Sequence, residues 1–256
     1  MKKIIAFDLD GTLAPTKSHF ADQMVEVFDK LLAKYQVCVI SGGKFELFER
    51  QFLTQITDKP ELLKRLHLMP TSGTRYYRFE EGSWQQKYAE TIAPADRKRI
   101  IEALEEGFNE SGYRGSETYG DIVEDRGTQI SLSTLGQDVV AHLGESGVRM
   151  KEEWDPDNSK KERLRELIAP KIPDFEVRAA GFTTIDVTKP GIDKAYGMKK
   201  LMEATGLSAE DILFVGDGLF PGGNDYAVKL AGIDCIAVRK WEDTVFVIEG
   251  LLYAAA

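Results

Sequence analysis

Near its start the chain carries the stretch Lys2-Lys3-Ile4-Ile5-Ala6-Phe7-Asp8-Leu9-Asp10-Gly11-Thr12-Leu13, and this stretch decides its fold. The apolar run before the first carboxylate predicts a buried strand. Residues two apart on a strand point to the same side, so Asp8 and Asp10 face one pocket. Packing two carboxylates against apolar residues costs energy through repulsion and desolvation, which a bound cation or a reaction can offset. The stretch therefore predicts chemistry at the end of a strand.

Asp8 and Asp10 together supply the groups that phosphoryl transfer through a covalent intermediate requires. One carboxylate can act as the nucleophile, and a second carboxyl group can protonate the leaving oxygen. The pair also offers a site for a divalent ion that screens the phosphate. We interpret the pair, with the Gly-Thr turn after it, as the centre of such a site. The alternative is a strand that merely runs into an acidic turn.

Buried strands and helices alternate at both ends of the chain. Apolar runs at 4–7 and 37–40 predict two strands, and the segment between them carries apolar residues at helical spacing. The same order returns later, where apolar runs at 211–215 and 233–238 follow a helix that stops at Gly206. Continuous apolar strands separated by helices indicate a parallel sheet covered on both faces.

The middle of the chain follows a different pattern, because its strands alternate and pair as hairpins. One hairpin turns at 126–127 and another at 179–181. Two helices are predicted in the same segment. One begins near Pro94, and the other begins at Ser159, where Glu162 gives the spacing of a capping box. The middle segment is therefore predicted to be an inserted α+β module.

The predicted fold class is α/β, with a Rossmann-like, doubly wound parallel-sheet core and an inserted α+β cap domain that contains an antiparallel sheet. We assign residues 1–87 and 189–256 to the core and residues 88–188 to the cap. Because the insertion splits the core into two sequence segments, residues near both ends of the chain must meet in space.

The composition and net charge of the chain limit the kinds of molecule it can bind. The chain has 256 residues, a formal net charge of -9 and a pI near 5.1. This acidity argues against nucleic acid or an anionic membrane as the main partner. A local ion or a few cationic side chains can still reverse the field in one pocket, so a small anionic substrate is expected. The expected assembly is a monomer or a homodimer.

The cysteines and the hydropathy of the sequence indicate the cellular compartment of the protein. Cys38 and Cys235 lie in apolar runs far apart in sequence, which predicts buried thiols and not a disulfide or a metal pair. No run of the sequence is long enough to span a bilayer. The expectation of two buried thiols fits a reducing cytoplasm.

Two further strands end in polar residues suited to phosphate chemistry. The strand at 37–40 leads to Ser41-Gly42-Gly43, and the strand at 211–215 leads to Gly216-Asp217. In an open parallel sheet, ligands lie beyond the carboxyl ends of the strands, so these groups can surround the same crevice as Asp8. Ser41 and Gly42 offer a hydroxyl and backbone N–H groups to a phosphate oxygen. Strand-to-helix turns without any ligand have similar sequences, and that interpretation stays open.

Three charged or polar residues extend this constellation. Lys194 opens a helix near the predicted crevice and could neutralise a phosphoryl group; an exposed structural lysine is the alternative. Asp217 is a plausible ligand for a hard cation. Asn224 and Asp225 could lie in the second shell of that ion, cap the next helix, or do both.

The segments Asp8-Leu9-Asp10-Gly11-Thr12, Ser41, Lys194 and Gly216-Asp217 with Asn224-Asp225 occur in the order and spacing of the four motifs of the haloacid dehalogenase superfamily. The chain resembles its Cof-like and phosphomannomutase-like group, type IIB, in which a large α+β cap lies between the second and third motifs. The segment from Gly216 to Asp225 is similar to the longer fourth motif of eukaryotic-type phosphomannomutases.

The resemblance implies a role for each core residue. Asp8 would become phosphorylated and Asp10 would be the acid/base. Mg²⁺ would be held by Asp8, the Asp10 carbonyl and Asp217, with Asn224 and Asp225 in its second shell. The phosphate-binding residues would be Thr12, Ser41, Gly42 and Lys194.

Cap residues would decide the substrate, and here the match to the family is incomplete. Mutases of this family grip a sugar phosphate with several cap arginines, and Arg126 occupies one such position. Where a second arginine is expected the chain has Gln137, and Arg149 is the candidate for a third. Thr184 and Asp186 match positions that contact sugar hydroxyls. A hairpin-turn arginine in a solvated salt bridge is the alternative for Arg126.

Three functions follow from these residues. An incomplete arginine clamp weakens the hold on the distal phosphate of a bisphosphate, so water finishes the reaction. The first expectation is therefore a Mg²⁺-dependent phosphatase for a small phosphorylated sugar. The second is a phosphomannomutase that interconverts mannose 1-phosphate and mannose 6-phosphate. The third, a catalytically silent binding module, is disfavoured by the intact Asp8, Asp10, Lys194 and Asp217.

Overall fold

The computed structural model describes residues 2–115 and 117–255. Its contacts divide the chain into two compact units. One combines residues of Met1–Ala89 and Asp193–Ala256, and the other is Glu90–Ile192. Residues from the two ends of the chain therefore fold together, as a sequence split by an insertion requires.

The secondary structure elements follow in chain order. The strands are β1 (Ile4–Asp8), β2 (Gln36–Ile40), β3 (Leu66–Met69), β4 (Arg75–Glu80), β5 (Ser83–Ala89), β6 (Val123–Asp125), β7 (Ile130–Ser133), β8 (Glu176–Ala180), β9 (Thr184–Thr188), β10 (Ile212–Gly216) and β11 (Asp234–Ala237). The α-helices are α1 (Asp22–Lys34), α2 (Phe45–Phe48), α3 (Pro60–Leu63), α4 (Pro94–Ser111), α5 (Val139–Leu143), α6 (Glu145–Trp154), α7 (Ser159–Ile168), α8 (Lys194–Thr205), α9 (Tyr226–Leu230) and α10 (Trp241–Ala254). One turn of π-helix, Glu49–Leu53, continues directly from α2.

The first unit is built on a sheet of strand order β11-β10-β1-β2-β3-β4-β5. The strands from β11 to β3 are parallel, and β4 and β5 extend the sheet as an antiparallel hairpin. β1 is central, with Phe7 paired to Val215 of β10 and Asp8 paired to Ile40 of β2. The prediction of a parallel-sheet α/β core is confirmed.

Apolar layers cover both faces of this sheet. Ile5 and Phe7 of β1 face one layer, which includes buried residues of α1 and α10. Ile4 and Ala6 face the other layer, which includes Met198 and Leu201 of α8. Successive strand residues point to opposite faces, so a strand buried on both sides must be apolar throughout. This burial explains the continuous apolar run that precedes Asp8.

The β4–β5 hairpin and α10 were not predicted from the sequence. β5 reads Ser-Trp-Gln-Gln-Lys-Tyr-Ala and lies at the edge of the sheet, with most of its residues exposed or half-buried. An edge strand with a solvated face needs little apolar sequence, so it gives only a weak signal.

A neutral histidine lies inside this part of the sheet. The Nδ1 and Nε2 atoms of His67 lie 2.8 Å from the Tyr76 hydroxyl and 2.8 Å from Gln36 Oε1. The amide oxygen can only accept, so Nε2 donates to it and Nδ1 accepts from the hydroxyl, which satisfies a neutral ring. Burial, together with the charge of Arg78, holds the pKa of His67 well below its usual range.

The second unit has a four-stranded antiparallel sheet of order β6-β7-β9-β8. Both predicted hairpins are confirmed, since β6 pairs with β7 and β8 pairs with β9. The apolar face of the sheet packs against α4 and α7 through residues such as Leu104, Leu164 and Ile185. The opposite face carries polar residues.

The capping box predicted at the start of α7 is wrong, although the helix does begin at Ser159. The helix follows Asn158, which has a positive φ of 64° and makes no side-chain cap hydrogen bond. The carboxylate of Asp155 instead accepts from the N–H groups of Lys160 and Lys161. Asp157 accepts from the Ser159 N–H, which a box would have paired with Glu162, so carboxylates before the helix satisfy N–H groups of its first turn.

The cysteine and membrane predictions can be compared with the structure. Cys38 is a buried free thiol, and Cys235 is a free thiol of intermediate burial. Burial raises the pKa of both thiols, that of Cys235 to about 11. Among the described residues, none of the helices has the length and apolar character needed to cross a membrane.

Candidate active site

The candidate residues lie at the carboxyl ends of three neighbouring strands of the first sheet. β1 ends at Asp8, β2 is followed by Ser41, and β10 is followed by Asp217. The strands are parallel and adjacent, with β1 between the other two. Their carboxyl ends therefore meet at one place, as the sequence analysis expected.

Lys194 bridges two buried carboxylates at this edge. Its Nζ lies 2.7 Å from Asp8 Oδ1 and 2.5 Å from Asp225 Oδ1. All three side chains are almost entirely inaccessible to solvent. Lys194 is the first residue of α8, and the carboxylate of Asp193 caps that helix by accepting from the Tyr196 N–H at 2.8 Å. The alternative of an exposed structural lysine is wrong.

Asp217 completes a group of three carboxylates. One ligand atom from each of Asp8, Asp217 and Asp225 lies within 4.8 Å of the others. Thr12 is tied to Asp217, because its hydroxyl accepts from the Asp217 N–H at 3.0 Å and lies 3.5 Å from Asp217 Oδ1. The predicted phosphate-binding residue Thr12 therefore holds the loop after β10 in place.

Two glycines let the carboxylates approach the backbone. Gly11 has a φ of +85°, and a Cβ there would lie 2.3 Å from Asp217 Oδ2. A Cβ on Gly216 would lie 2.3 Å from Asp225 Oδ2. Real Cβ atoms do not make such contacts, so both positions require glycine for the carboxylates to stay where they are.

Asp225 is engaged on both of its oxygens. While Oδ1 faces Lys194, Oδ2 accepts from the Gly218 N–H at 2.9 Å. Asp225 stands before α9, but its side chain makes no cap hydrogen bond there, so the capping interpretation is wrong. Asn224 packs in the same turn, where its Oδ1 would lie 2.3 Å from a Cβ on Gly218.

The electrostatics of the cluster follow from burial. Burial raises the pKa of Asp8 well above its usual range, Asp225 and Asp217 raise it further, and Lys194 opposes the rise. Burial also raises the pKa of Asp217. Burial by itself would lower the pKa of Lys194, but the carboxylates of Asp225 and Asp8 outweigh it and raise that pKa. The lysine is therefore firmly cationic.

Asp10 lies in a different environment from Asp8. Its Oδ1 accepts from the backbone N–H of Lys17 at 2.6 Å and from Nε2 of Gln51 at 3.1 Å. Gln51 lies in the π-helical turn and is buried. Gln51 was not among the predicted site residues. A signal was present, because glutamine occupies a position on the buried face shared with Leu47 and Phe48.

The loop after β2 is shaped by Ser41. The hydroxyl of Ser41 is buried and accepts from the Gly43 N–H at 3.1 Å, which turns the chain tightly toward α2. Gly42 is the middle residue of this turn. The loop lies at the carboxyl end of β2, next to the end of β1 that carries Asp8.

The predicted cap residues Arg126 and Asp186 lie in the second unit, in the turn after β6 and on β9, respectively. Arg126 donates to Glu124 at 2.8 Å and to Gln137 at 3.4 Å, and its side chain is only 7% exposed. Asp186 accepts from the Ser131 hydroxyl at 2.5 Å.

Thr184 and Arg149 differ in their setting within this unit. Thr184 pairs with Ser133 at one end of β9. Arg149 lies apart from the sheet on α6, 63% exposed, and pairs with Glu145 at 3.8 Å.

A family model for haloacid dehalogenase-like hydrolases matches residues 5–228. The chain belongs to this family. It is 23% identical to the phosphomannomutase of Encephalitozoon cuniculi over 251 residues, covering 95% of this chain and 91% of that protein. It is 23% identical to human phosphomannomutase 1 over 235 residues, covering 87% of this chain and 81% of that protein.

The solved structures agree on the fold. An IMP-bound variant of Plasmodium falciparum IMP-nucleotidase superposes with a TM-score of 0.68 at 15% identity, covering 98% of this chain and 67% of that one. The resemblance found in the sequence is thus confirmed. This haloacid dehalogenase-like hydrolase is an enzyme, and both expected classes, phosphohydrolase and phosphomannomutase, agree with its relatives.

The acidic cluster of this haloacid dehalogenase-like hydrolase fits a divalent cation. Three carboxylates face a single lysine within the cluster, so a cation beside Asp8 and Asp217 would offset the remaining negative charge. Carboxylate oxygens are the ligands that Mg²⁺ prefers. Asp225 already accepts from Lys194 and Gly218, which leaves Asp8 and Asp217 as the carboxylates better placed to bind a metal.

Proposed function

We propose that this chain is a Mg²⁺-dependent phosphatase that hydrolyses a small phosphorylated sugar through an aspartyl-phosphate at Asp8. One observation carries the proposal: the buried ammonium group of Lys194 contacts Asp8 at 2.7 Å at the end of β1. A nucleophile that receives a phosphoryl group needs a fixed positive charge beside it, since charge neutralisation and alignment supply most of the catalysis.

In the first step, an oxygen of Asp8 attacks the phosphorus atom and the bond from phosphorus to the sugar oxygen breaks. The carboxyl group of Asp10 gives its proton to that departing oxygen. In the second step, water attacks the phosphorus atom of the aspartyl-phosphate and gives a proton to the Asp10 carboxylate. The bond from phosphorus to Asp8 then breaks, which releases inorganic phosphate and restores both side chains.

In this scheme the other site residues bind the phosphate group, hold the metal ion or orient Lys194. The Ser41 hydroxyl and the N–H of Gly42 would donate hydrogen bonds to phosphate oxygens at the end of β2, while Lys194 neutralises their charge. Asp8, the Asp10 carbonyl and Asp217 would hold Mg²⁺. Bound there, Mg²⁺ supplies electrophilic stabilisation of the phosphoryl oxygens. Asn224 and Asp225 support that site, and Asp225 also orients Lys194 through the 2.5 Å contact.

We further propose that the inserted module, residues 88–188, acts as the cap that selects the substrate. Its polar sheet face offers Thr184 and Asp186 for sugar hydroxyls. Arg126 is already paired with Glu124 at 2.8 Å, which neutralises much of its charge toward a second phosphate. This pairing supports a monophosphate substrate and water as the acceptor. The two free thiols fit a cytoplasmic location, which we also propose.

A mutase is the second candidate, and the phosphomannomutase relatives at 23% identity favour it. A mutase must hold the distal phosphate of a hexose bisphosphate while the sugar reorients, and it would need Arg126 to leave Glu124 and bind that phosphate. The positions of Gln137 and Arg149 make the phosphatase the first choice, because a glutamine and a 63% exposed arginine on a separate helix replace further clamp residues.

One assay separates these functions. The protein is incubated with Mg²⁺ and mannose 1-phosphate, with and without a hexose bisphosphate, and free phosphate and mannose 6-phosphate are measured. We expect phosphate release. Isomer formation without phosphate release would establish the mutase, and the absence of both with a broad panel of phosphate esters would refute the enzymatic proposal for sugar phosphates.

Covalent catalysis is tested with Asp8→Asn. We expect turnover to be abolished, because the amide is a poor nucleophile, while the variant still folds, because Lys194 keeps its contact with Asp225. Asp234→Asn, at an exposed carboxylate on β11, serves as the control and should retain full activity. Turnover retained by Asp8→Asn would contradict an aspartyl-phosphate at this residue.

A further inference from the structure

Gln51 occupies an unusual position beside Asp10. Its side chain is 1% exposed and lies in a π-helical turn, Glu49–Leu53. Short π-helical turns are rare and are found frequently at functional sites. The residue is one helical turn beyond Leu47 and Phe48 on a buried helix face, where an apolar side chain would pack without desolvating an amide.

Only the nitrogen of the Gln51 side-chain amide makes hydrogen bonds. Its Nε2 donates to Asp10 Oδ1 at 3.1 Å and to the backbone oxygen of Ser18 at 3.0 Å. Its Oε1 is one of the few buried side-chain nitrogen or oxygen atoms among the described residues that have no hydrogen-bond partner. A buried acceptor without a partner costs about 1–3 kcal/mol, and a native protein that keeps one calls for an explanation.

The two donors to Asp10 meet on the same oxygen. Oδ1 accepts from Gln51 and from the backbone N–H of Lys17. Both N–H groups occupy acceptor positions of Oδ1, so a proton on the carboxyl group resides on Oδ2. The hydrogen bonds also fix the rotation of the carboxyl plane, because Gln51 is itself held in place by the bond to Ser18 and by the N–H of Phe20 bonding to its backbone oxygen.

We propose that Gln51 is the positioning residue of the acid/base Asp10, and that it directs proton transfer to Oδ2. The assignment rests on the proposed function, since it requires Asp10 to protonate the leaving oxygen. Gln51 acts through Asp10 and contacts no reacting atom in this assignment. A structural role, in which Gln51 only ties the loop 17–20 to the helix, is the competing explanation.

The test uses the leaving group to separate these two roles. The value of kcat/KM reports steps up to departure of the leaving group. A nitrophenolate departs without a proton, whereas a sugar alkoxide requires one. Gln51→Met keeps the length and apolar volume of the side chain but cannot donate to Asp10. We expect kcat/KM for a sugar phosphate to fall about ten- to a hundredfold, and that for p-nitrophenyl phosphate to fall less than about threefold.

Gln55→Met is the matched control. Gln55 lies one turn later and exchanges two hydrogen bonds with the backbone of Phe20, so it ties the same loop without contacting Asp10. The control should not change the ratio of the two kcat/KM values. If Gln51→Met does not fold, Gln51→Asn, which is one methylene too short to reach Asp10, replaces it in the same measurement.

Each outcome decides the assignment. A selective loss for the sugar phosphate supports it. An equal loss for both esters, or no loss for either, overturns the positioning role and leaves the proposed phosphatase intact. A wild-type protein that hydrolyses neither ester refutes the proposed function, and the role of Gln51 falls with it.

Discussion

Lys194 lies between two buried carboxylates, so its removal should destabilise the first unit in a way that depends on its partners. At an effective dielectric constant of about 20, the contacts of 2.7 Å to Asp8 and 2.5 Å to Asp225 each correspond to about 6–7 kcal/mol of gross attraction. Desolvation of the ammonium group offsets much of this energy. Breaking such a buried pair from one side costs about 3–5 kcal/mol. We expect Lys194→Met to lower the free energy of unfolding by that amount.

The partner dependence gives the sharper test. In an Asp225→Asn background, one of the two carboxylates is already neutral, so Lys194→Met leaves less uncompensated charge. We expect it to cost about 1–3 kcal/mol less there than in the wild type. Lys199→Met, an exposed lysine on the same helix, is the control and should stay within about 0.5 kcal/mol of the wild type.

The measurement is urea unfolding at neutral pH in EDTA, so that no divalent ion replaces the lost charge. A Trp154→Phe background leaves Trp84 and Trp241 to report on the first unit by fluorescence, because Trp154 belongs to the second. A cost below about 1 kcal/mol, or an equal cost in both backgrounds, would refute the argument that Lys194 compensates both carboxylates.

Two further substitutions test the close approach at Gly11 and the neutral state of His67. Gly11→Ala places a Cβ 2.3 Å from Asp217 Oδ2, so we expect kcat/KM to fall by at least about tenfold and the Mg²⁺ concentration for half-maximal activity to rise. Gly82→Ala is the control, because Gly82 has a similar φ of +80° but open space around it, and this variant should retain activity. The depressed pKa of His67 means that only the unfolded chain binds the proton just below about pH 6.5, so wild-type stability should fall as the pH drops through that value. His67→Gln should flatten this dependence in urea unfolding, whereas His19→Gln, at an exposed position, should not; an unchanged slope in His67→Gln would contradict a neutral buried ring.

The part of the site at strand ends could be predicted because sequence and geometry agree there. Buried parallel strands must be apolar, so the residue at which each run stops is visible in the sequence. Asp8, Ser41 and Asp217 are such residues, and their strands are neighbours in the sheet. The prediction of Lys194 needed only that its helix begin at the same edge, which the cap at Asp193 ensures.

The other contacts depend on which side chains pair with each other, and no local sequence pattern predicts these pairs. Gln51 contacts Asp10 across 41 residues of sequence. Its polar side chain on a buried helix face marks the residue, but no local pattern predicts that its partner is Asp10. The engagement of Asp225 by Lys194 spans 31 residues and overrides its local tendency to cap α9. Likewise, Asp155 accepts from the N–H groups of Lys160 and Lys161, and Asp157 accepts from that of Ser159, where the sequence pattern predicts a capping box. Local propensity predicted where these helices begin but not which group satisfies their ends.

The two carboxylates that open the chain differ in role because they differ in environment. Asp8 is buried and contacts a cation, which opposes the rise in its pKa and favours the ionised form that attacks phosphorus. Asp10 is less buried, and its contacts are neutral N–H groups that fix one oxygen without supplying a charge. Neighbouring carboxylates with unlike surroundings divide nucleophile and acid/base functions in this way. β1 ends at Asp8 and Asp10 lies just beyond it, and Lys194 and Gln51, from distant parts of the sequence, make the two groups chemically different.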